Sequence, residues 1–436
     1  MASRTHGTGA ADVRQSAFAA IVEIESGHEE ALRELLVPIG QTIGDPDPRI
    51  DFEALGSVHF MRWAVLDPQL DLRGEPIPGR LLLSTNHDGG LHAHLDELIR
   101  VGGDTFHEIY AHCAGYPPAG RRSPRAGRDF LLAHGVAPQT FYVGAVGRSV
   151  RQIQWEARLR EALEEHLDDR RASGSLPADP VDAHGALRAW VREQPEFAAA
   201  TDRAALPPLG RRLVFWAVGL FRAAVAVIGA IALLLSLPWL RYRERRDPET
   251  DMTAAEPGQV RELVAREDYQ VQNQMTSLAP MKPGRYRQFV VRTVLAVIDA
   301  AARLIYRKGR LGSIASIHFA RWMVIDGGRN LLFLSNYDGS WESYLGDFID
   351  KASDGLTAIW SNTWEFPASR WLIKGGARNE LAFKAKVRAS QVPTEVWYSA
   401  YPTLTILNVI NNARIREGLA RPTMGRKEAE EWLARL

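Results

Sequence analysis

The chain has 436 residues, 53 basic against 52 acidic, and a formal net charge of +1, which excludes a protein that attracts nucleic acid over its whole surface. A hydrophobic fraction of 46% and a charged fraction of 24% indicate a folded chain of about two to three domains. A single cysteine, Cys113, excludes an internal disulfide and a multi-thiolate zinc site.

The predicted elements of the first half follow the order β-α-β-β-α-β. Residues 1–17 lack the apolar core of a secretion signal, and we expect them to be disordered and the soluble parts to be cytoplasmic. The β-branched, alternating residues 18–25 predict a strand, and a helix over 28–37 follows the break at Gly27. The remaining predicted elements are strands at 57–66, 80–85 and 140–146, a helix from about Gly89 and a helix over 149–167.

Residues 168–270 differ in kind from what precedes them. Residues 168–210 are polar and rich in Pro and Ala, as in a linker. The stretch 213–240 is apolar except for Arg222, and arginines and tryptophans flank it, as at a membrane interface. We predict a membrane-associated segment on the cytoplasmic side, although arginines on both sides give no orientation. A re-entrant or interfacial segment is favoured if the two halves of the chain share one barrel, because both must then lie on the same side. The alternative is a buried hairpin of a larger core.

The second half repeats the order of the first. Strands are predicted at 271–279, 315–325, 330–336 and 394–400, and helices at 285–307, 339–352, 406–419 and within the C-terminal residues 421–436. The helix over 285–307 carries five arginines among apolar residues. This composition suits the headgroup layer of a membrane, and it suits ordinary core packing equally well.

A sequence repeat links the two halves. Residues 57–67 return as 316–326 with seven of eleven positions identical, and residues 81–99 return as 331–349 with seven of nineteen. The order of the matching blocks is preserved, so we predict a tandem duplication of units at 18–167 and 271–420. Each unit has the element order of the split βαβ, or ferredoxin-like, motif.

This arrangement resembles the dimeric α/β-barrel superfamily. The resemblance implies an α+β fold in which two four-stranded sheets pair face to face as one intramolecular barrel. The membrane-associated helical segment would then be an insertion between the two units.

One strand of each unit carries histidine, arginine and tryptophan. In the strand over 315–325, alternation places His318 and Trp322 on one face and Arg321 on the other. An imidazole there could bind haem iron or transfer protons in a pocket between the sheets, and core packing would explain these residues as well. The equivalent residues of the first unit are His59, Trp63 and Arg62.

The turns after the third strand of each unit contain Asn, Asp and Gly. Capping of the following helix explains Asp88 and Asp338, and both are also the expected anionic partners of the buried arginines. Asp338-Gly339 is similar to the end of the GxxDG motif of dye-decolourising peroxidases, with Ser335 in place of the leading Gly. The resemblance implies that the Asp works on the distal side of haem, which makes haem a possible cofactor.

We therefore predict the site in the second unit, which is rich in aromatic residues and amides suited to a mostly apolar pocket. Tyr398 and Tyr401 could donate protons or electrons there. The predicted catalytic residues are His318, Arg321, Asn336, Asp338 and Tyr398, and the predicted cofactor-binding residues are His318, Trp322 and Tyr337.

Histidines are concentrated in the first unit, where His87, His92 and His112 are weak candidates for a metal site. His92 and His94 are two residues apart, so on a helix they point in different directions. In the second unit, Tyr337, Glu342 and Tyr344 replace His87, His92 and His94. Only the first unit could carry such a site.

The sequence contains no P-loop, Rossmann glycine fingerprint, GxSxG elbow or HExxH motif. We expect a membrane-associated oxidoreductase, peroxidase- or monooxygenase-like, whose hydrophobic substrate lies in a pocket between the sheets. The alternative is a non-catalytic membrane-attached protein that binds lipid or another ligand, or serves as a scaffold.

Overall fold

The computed structural model describes residues 14–202, 209–247, 255–304 and 314–436, and within these ranges the fold is α+β. The strands are β1 (Gln15–Glu23), β2 (Val58–Leu66), β3 (Gln69–Leu70), β4 (Pro76–Ile77), β5 (Arg80–Asp88), β6 (Thr140–Val143), β7 (Gln272–Pro280), β8 (Ile317–Ile325), β9 (Asn330–Asp338), β10 (Ser369–Arg370), β11 (Lys374–Gly375) and β12 (Val396–Ser399). The α-helices are α1 (Glu29–Gln41), α2 (Leu91–Tyr110), α3 (Pro124–Ala133), α4 (Val150–Ala172), α5 (Pro180–Glu193), α6 (Leu209–Leu235), α7 (Leu237–Glu244), α8 (Pro257–Val264), α9 (Arg285–Leu304), α10 (Trp341–Trp360), α11 (Glu380–Ala389), α12 (Ile406–Leu419) and α13 (Arg426–Leu433).

Two four-stranded antiparallel sheets form the centre. The first has the order β1-β5-β2-β12 and the second the order β6-β8-β9-β7. In each sheet, three strands come from one half of the chain and the fourth from the other half, since β12 pairs with β2 and β6 pairs with β8. The short β6 and β12 are thus exchanged between the halves.

Neither sheet closes into a barrel, but backbone hydrogen bonds connect their edges. Ahead of β6, the Val136 amide donates to the carbonyl of Ala19 in β1 at 2.8 Å. Ahead of β12, the Val392 amide donates to the carbonyl of Thr276 in β7 at 2.8 Å. Each exchanged segment therefore contacts the edge of one sheet before it pairs with the other.

The inner faces of the sheets pack directly against each other. Buried apolar side chains from both sheets fill this space: Ala19, Ala64, Leu66, Leu82, Met323, Ile325, Leu332 and Leu334. The outer faces are covered by helices, with Trp63 packed in the cluster under α1 and α2 and Trp322 in the cluster under α9 and α10. Side chains of the protein therefore fill the space between the two sheets.

The segment between the halves is more ordered than a linker. Within residues 168–210, α5 buries Leu187 and Val191 against Trp432 of α13. Of the N-terminal residues predicted to be disordered, 1–13 lie outside the described residues, and β1 begins at Gln15. The helix predicted over 285–307 is described as α9 up to Leu304, and its Val290, Val291 and Leu295 are buried in the core.

Helix α6 lies along α9 and buries only a narrow stripe. Gly219, Ala226 and Leu233 are buried at seven-residue intervals, and Arg222 pairs with Asp299 of α9 at 3.0 Å. Most of the other described side chains between Leu213 and Leu235 are apolar and exposed. Within α6, the segment Trp216–Leu235 is long and apolar enough to cross a membrane, with a mean hydropathy of 2.4, and 17% of it is buried.

Candidate functional site

The histidines of β2 and β8, which are equivalent in the sequence repeat, lie on β-bulges. The pairing of β2 with β5 skips His59, and the pairing of β8 with β9 skips His318. A bulge adds one residue to a strand and redirects its side chain. As a result the His59 ring lies 5.2 Å from the ring of Phe319, between the sheets. Trp63 instead faces the helices, so the prediction that His and Trp share a sheet face is wrong.

Each histidine contacts the aspartate at the end of the neighbouring strand. His59 Nε2 lies 3.0 Å from Asp88 Oδ1, and His318 Nε2 lies 2.7 Å from Asp338 Oδ1. The second oxygen of each carboxylate accepts the first amide of a distant helix, α4 for Asp88 and α12 for Asp338, at 2.8 Å in both cases. The prediction that these aspartates cap the helices that directly follow them is wrong, because the sheet edge brings α4 and α12 closer.

The two histidines differ in their hydrogen bonds, because Tyr401 bonds only His59. Its hydroxyl lies 2.8 Å from His59 Nδ1, and burial raises the pKa of Tyr401 well above its usual range. The hydroxyl therefore donates to Nδ1, and His59 Nε2 carries the proton that bonds Asp88. The residue that corresponds to Tyr401 in the first half is Ala145, which has no hydroxyl to offer to His318. The bonded group of Tyr401, His59 and Asp88 therefore combines residues of both halves, whereas we predicted a site within the second half.

The two buried arginines hold the sheets together. Arg62 donates to carbonyl oxygens of β7 and β9 at 2.8 and 2.9 Å, and Arg321 donates to those of β1 and β5 at 2.9 and 3.0 Å. Their expected partners Asp88 and Asp338 contact the histidines instead, so that prediction is wrong. Burial lowers the pKa of both guanidinium groups to about 9.

Asn336 belongs to the arginine network. Its side-chain oxygen accepts from Arg62 and, at 3.1 Å, from Trp397 Nε1, and its amide donates to the Asn86 side chain at 3.2 Å. All of these groups lie between the sheets. Asn336 therefore joins the two sheets and is saturated by protein partners.

The other predicted site residues lie on the outer faces. Tyr398 stacks on Phe52 with ring centroids 5.4 Å apart, in the core of the first sheet. Trp322 packs on Phe333 at 4.6 Å, and Tyr337 stacks on Tyr344 at 3.8 Å, under the helices of the second sheet. The structure therefore brings together His318 and Asp338, but it separates them from Tyr398, Trp322 and Tyr337.

These residues do not fit a haem. An axial imidazole needs a nitrogen free to bind iron, and both nitrogens of His59 are within bonding distance of protein groups. The Nε2 of His318 bonds Asp338, and the rings of Phe60 and Tyr401 pack against this imidazole at 5.3 and 6.0 Å. The aromatic residues predicted to face the cofactor lie on the outer sheet faces. The distances around the bulges support proton transfer between Tyr401, His59 and Asp88, and no more.

The histidines considered for a metal are dispersed. His87 stacks on His94 at 4.0 Å, His92 is exposed, and His112 packs on His28 at 5.3 Å. In the described part of the chain, no group of three or more His, Cys, Asp or Glu side chains is arranged to hold a metal ion. Burial lowers the pKa of His87 to about 4, so this ring is neutral at physiological pH.

A cavity of about 470 Å³ lies at the opposite end of the sandwich. It lies where the β3–β4 hairpin, the turn between β8 and β9 and the start of α9 meet. Its lining consists of Asp71, Leu72, Arg73, Glu75, Met281, Pro283, Gly284, Gln288, Asp326, Gly327, Gly328 and Arg329. Sequence reasoning missed this region because its residues are distributed over three separate loops without a motif.

The chain matches no protein-family model, no curated protein and no solved structure. Its function is therefore argued from the geometry described above.

Proposed function

We propose that this chain is a membrane-attached ligand-binding protein, held at the bilayer surface by α6. The observation that carries the proposal is the outer face of that helix. Phe221, Ile228 and Leu235 are 71, 69 and 79% exposed, and each lies outside the stripe that packs on α9. A helix on the surface of a soluble domain presents polar residues to water, whereas here Arg222 is the one charged residue between Leu213 and Leu235.

The helix has the features of one that lies in the plane of the interface. It is antiparallel to α9, with Arg222 beside Asp299 at one end and Ser236 beside Tyr286 at the other. Because α9 is packed into the core of the second sheet, α6 lies against the protein body from Gly219 to Leu235. Its apolar outer face would then enter the headgroup and acyl boundary, and Trp216 and Trp239 would lie near the polar layer.

The exchange of β6 and β12 supports, within this proposal, a tandem duplication of ferredoxin-like units related to the dimeric α/β-barrel superfamily. Two units that share strands keep both halves on one side of the membrane. An interfacial α6 satisfies this condition, and a single crossing between the halves does not.

The proposal is tested by vesicle flotation of the full chain. The triple variant Phe221→Gln, Ile228→Gln, Leu235→Gln removes outer apolar surface and leaves the α9 stripe intact. We expect it to lose flotation while its unfolding midpoint changes little. The control variant Leu70→Gln, Leu381→Gln, Leu407→Gln removes three other exposed apolar side chains and should float like the parent. Flotation of the outer-face variant at the parental level would overturn the proposal.

A second candidate, an oxidoreductase, is favoured by the Tyr401–His59–Asp88 arrangement. A buried tyrosine whose hydroxyl bonds an imidazole can pass its proton to that base when it is oxidised. This candidate predicts that a visible spectrum or metal analysis of the purified protein reveals a redox group, and that Tyr401→Phe abolishes turnover without unfolding the chain. A colourless, metal-free protein would leave this candidate only cofactor-free oxygen chemistry, and turnover that survives Tyr401→Phe would remove it and leave the first intact.

A further inference from the structure

The cavity of about 470 Å³ has the size of a small-molecule site. Three loops surround it: the tip of the β3–β4 hairpin, the turn between β8 and β9, and the Pro283-Gly284 step into α9. In its wall, Gly328 has a φ of +93° and lies against the end of the Gln288 side chain.

Charges of both signs line this cavity, and two of them have no ion-pair partner among the described residues. Arg73 and Glu75 flank Gly74 at the hairpin tip, and neither side chain forms an ion pair with any residue that the structure describes. Arg329 and Asp71 form an ion pair at 3.7 Å, and Asp71 also accepts the backbone amides of Arg73 and Glu75 at 2.8 and 3.0 Å. A cavity with unneutralised charges of both signs is complementary to a zwitterion.

Cationic groups are concentrated at the α9 side. The first amides of α9 have no intrahelical acceptor, and its first turn contains no acidic residue. Arg243 of α7 lies 3.7 Å from the position of a Cβ on Gly284. An anionic group is favoured here, because the helix terminus and the arginine act in the same direction.

A buried arginine that bonds a lining residue adds a further observation. Arg80 is 4% exposed and bonds Asp326, which lines the cavity. Its Nε and Nη2 have no hydrogen-bond partner among the described residues. Unpartnered buried donors are costly, and such groups often mark a place where something else binds.

The cavity lies beside the end of the proposed membrane-facing helix. Tyr286, two residues after Gly284, donates its hydroxyl to the Ser236 carbonyl at the α6–α7 junction at 3.1 Å. On α7, Trp239 and Tyr242 are exposed and stack at 5.2 Å, as aromatic residues do at a lipid headgroup layer. A lipid headgroup is therefore the zwitterion within reach.

We propose that this cavity binds the phosphate and primary ammonium of an aminophospholipid headgroup. The phosphate contacts Arg73, Arg329 and the start of α9, and the ammonium donates to Glu75 and Asp71. The lipid source rests on the proposed membrane attachment, whereas free phosphoethanolamine esters offer the same chemistry from solution.

The test starts with soluble glycerophosphoethanolamine, titrated into the full chain and followed by calorimetry. We expect saturable binding that Arg329→Gln and Glu75→Gln each weaken at least tenfold. The surface control Arg378→Gln should change the affinity less than twofold. Glycerophosphocholine, whose quaternary nitrogen has no N–H to donate, should bind at least tenfold more weakly. Failure to bind glycerophosphoethanolamine, or equal binding by the two esters, would overturn the assignment.

Vesicles then separate this inference from the proposed function. The parent should float with phosphatidylethanolamine-containing vesicles at least fivefold better than with phosphatidylcholine vesicles, and Glu75→Gln should remove the preference. If the chain floats equally well with both kinds of vesicle and does not bind glycerophosphoethanolamine, membrane attachment stands and the headgroup site is refuted. Ester binding by a chain that floats with neither vesicle refutes membrane attachment and assigns the site to a soluble ester.

Discussion

The two ends of the sandwich differ in how their polar groups are satisfied. At the bulge end, His59, Asp88 and Tyr401 are saturated by one another and by a helix amide. At the cavity end, Arg73 and Glu75 have no ion-pair partner among the described residues, and the neighbouring helix presents apolar side chains outward. The polar groups at the bulge end therefore stabilise the fold. The cavity end instead has charged side chains without ion-pair partners beside an exposed apolar helix face. The following predictions test this division.

The largest stability effect should come from the arginines between the sheets. Arg62→Met leaves several buried carbonyl and side-chain acceptors without a donor, and we expect it to lower the free energy of unfolding by about 3–5 kcal/mol. Arg321→Met should act similarly, and Arg378→Met at the surface should change it by less than about 0.5 kcal/mol. Urea unfolding measures all three. An Arg62→Met protein as stable as the parent would show that the arginine serves something other than the sheets.

The stacked His87 and His94 should make the chain sensitive to acid. The folded state holds the pKa of His87 at about 4 against 6.5 in its ordinary range, so between these values the unfolded chain binds a proton that the folded chain does not. Stability due to His87 is therefore lost as the pH falls from 6.5 to 4, by about 3 kcal/mol.

The control for this acid effect comes from the second half, where Tyr337 and Tyr344 stack in the same way. The double variant His87→Tyr, His94→Tyr should unfold with a smaller pH dependence over this interval. Equal pH dependence in parent and variant would contradict the assignment.

Asp88→Asn and Asp338→Asn should have equal effects. Each change removes the charge that bonds a helix amide at 2.8 Å and an imidazole at 3.0 Å in the first half or 2.7 Å in the second, and we expect each to cost about 2 kcal/mol in thermal or urea unfolding. This differs from the sequence-based prediction, which counts Asp338 but not Asp88 among the catalytic residues. Loss of ligand binding in a stably folded Asp338→Asn protein alone would restore that expectation.

Tyr401→Phe should have the smallest effect, about 1 kcal/mol, because it removes one hydrogen bond and leaves His59 Nδ1 without a partner. Tyr398→Phe is the matched control, three residues away and equally buried. Its hydroxyl makes no hydrogen bond with the described residues, so we expect less than about half of that change. Equal costs for the two variants would mean that the His59 contact does not stabilise the fold.

The sequence predicts the elements of both halves well, since alternation and helical periodicity reflect which faces are buried. β2, β8 and α12 begin and end within two residues of their predicted limits. The exchange of β6 and β12 could not be predicted, because a short strand of this composition pairs equally well with the equivalent strand of either half. The buried stripe of α6 could not be predicted either. The segment is apolar throughout, so the one residue in seven that is buried does not differ in polarity from its exposed neighbours.

The site was predicted less well for one local reason. Strict alternation along β8 requires an unbroken ladder, and the bulge at His318 shifts the histidine away from the face of Trp322. No residue pattern in the sequence predicts that bulge. The choice between Tyr398 and Tyr401 likewise depended on the orientation of β12, which the strand exchange determines.

The central claim is that the outer face of α6 contacts lipid, and a spin label on that face tests it most directly. Cys113 is the only cysteine, so Cys113→Ser with Ile228→Cys gives one labelling site, and Leu381→Cys on α11 gives a matched exposed control. With vesicles present, we predict that the label at 228 becomes accessible to oxygen and protected from a water-soluble nickel complex, while the label at 381 remains accessible to nickel. Equal accessibility of both labels to nickel would contradict the account.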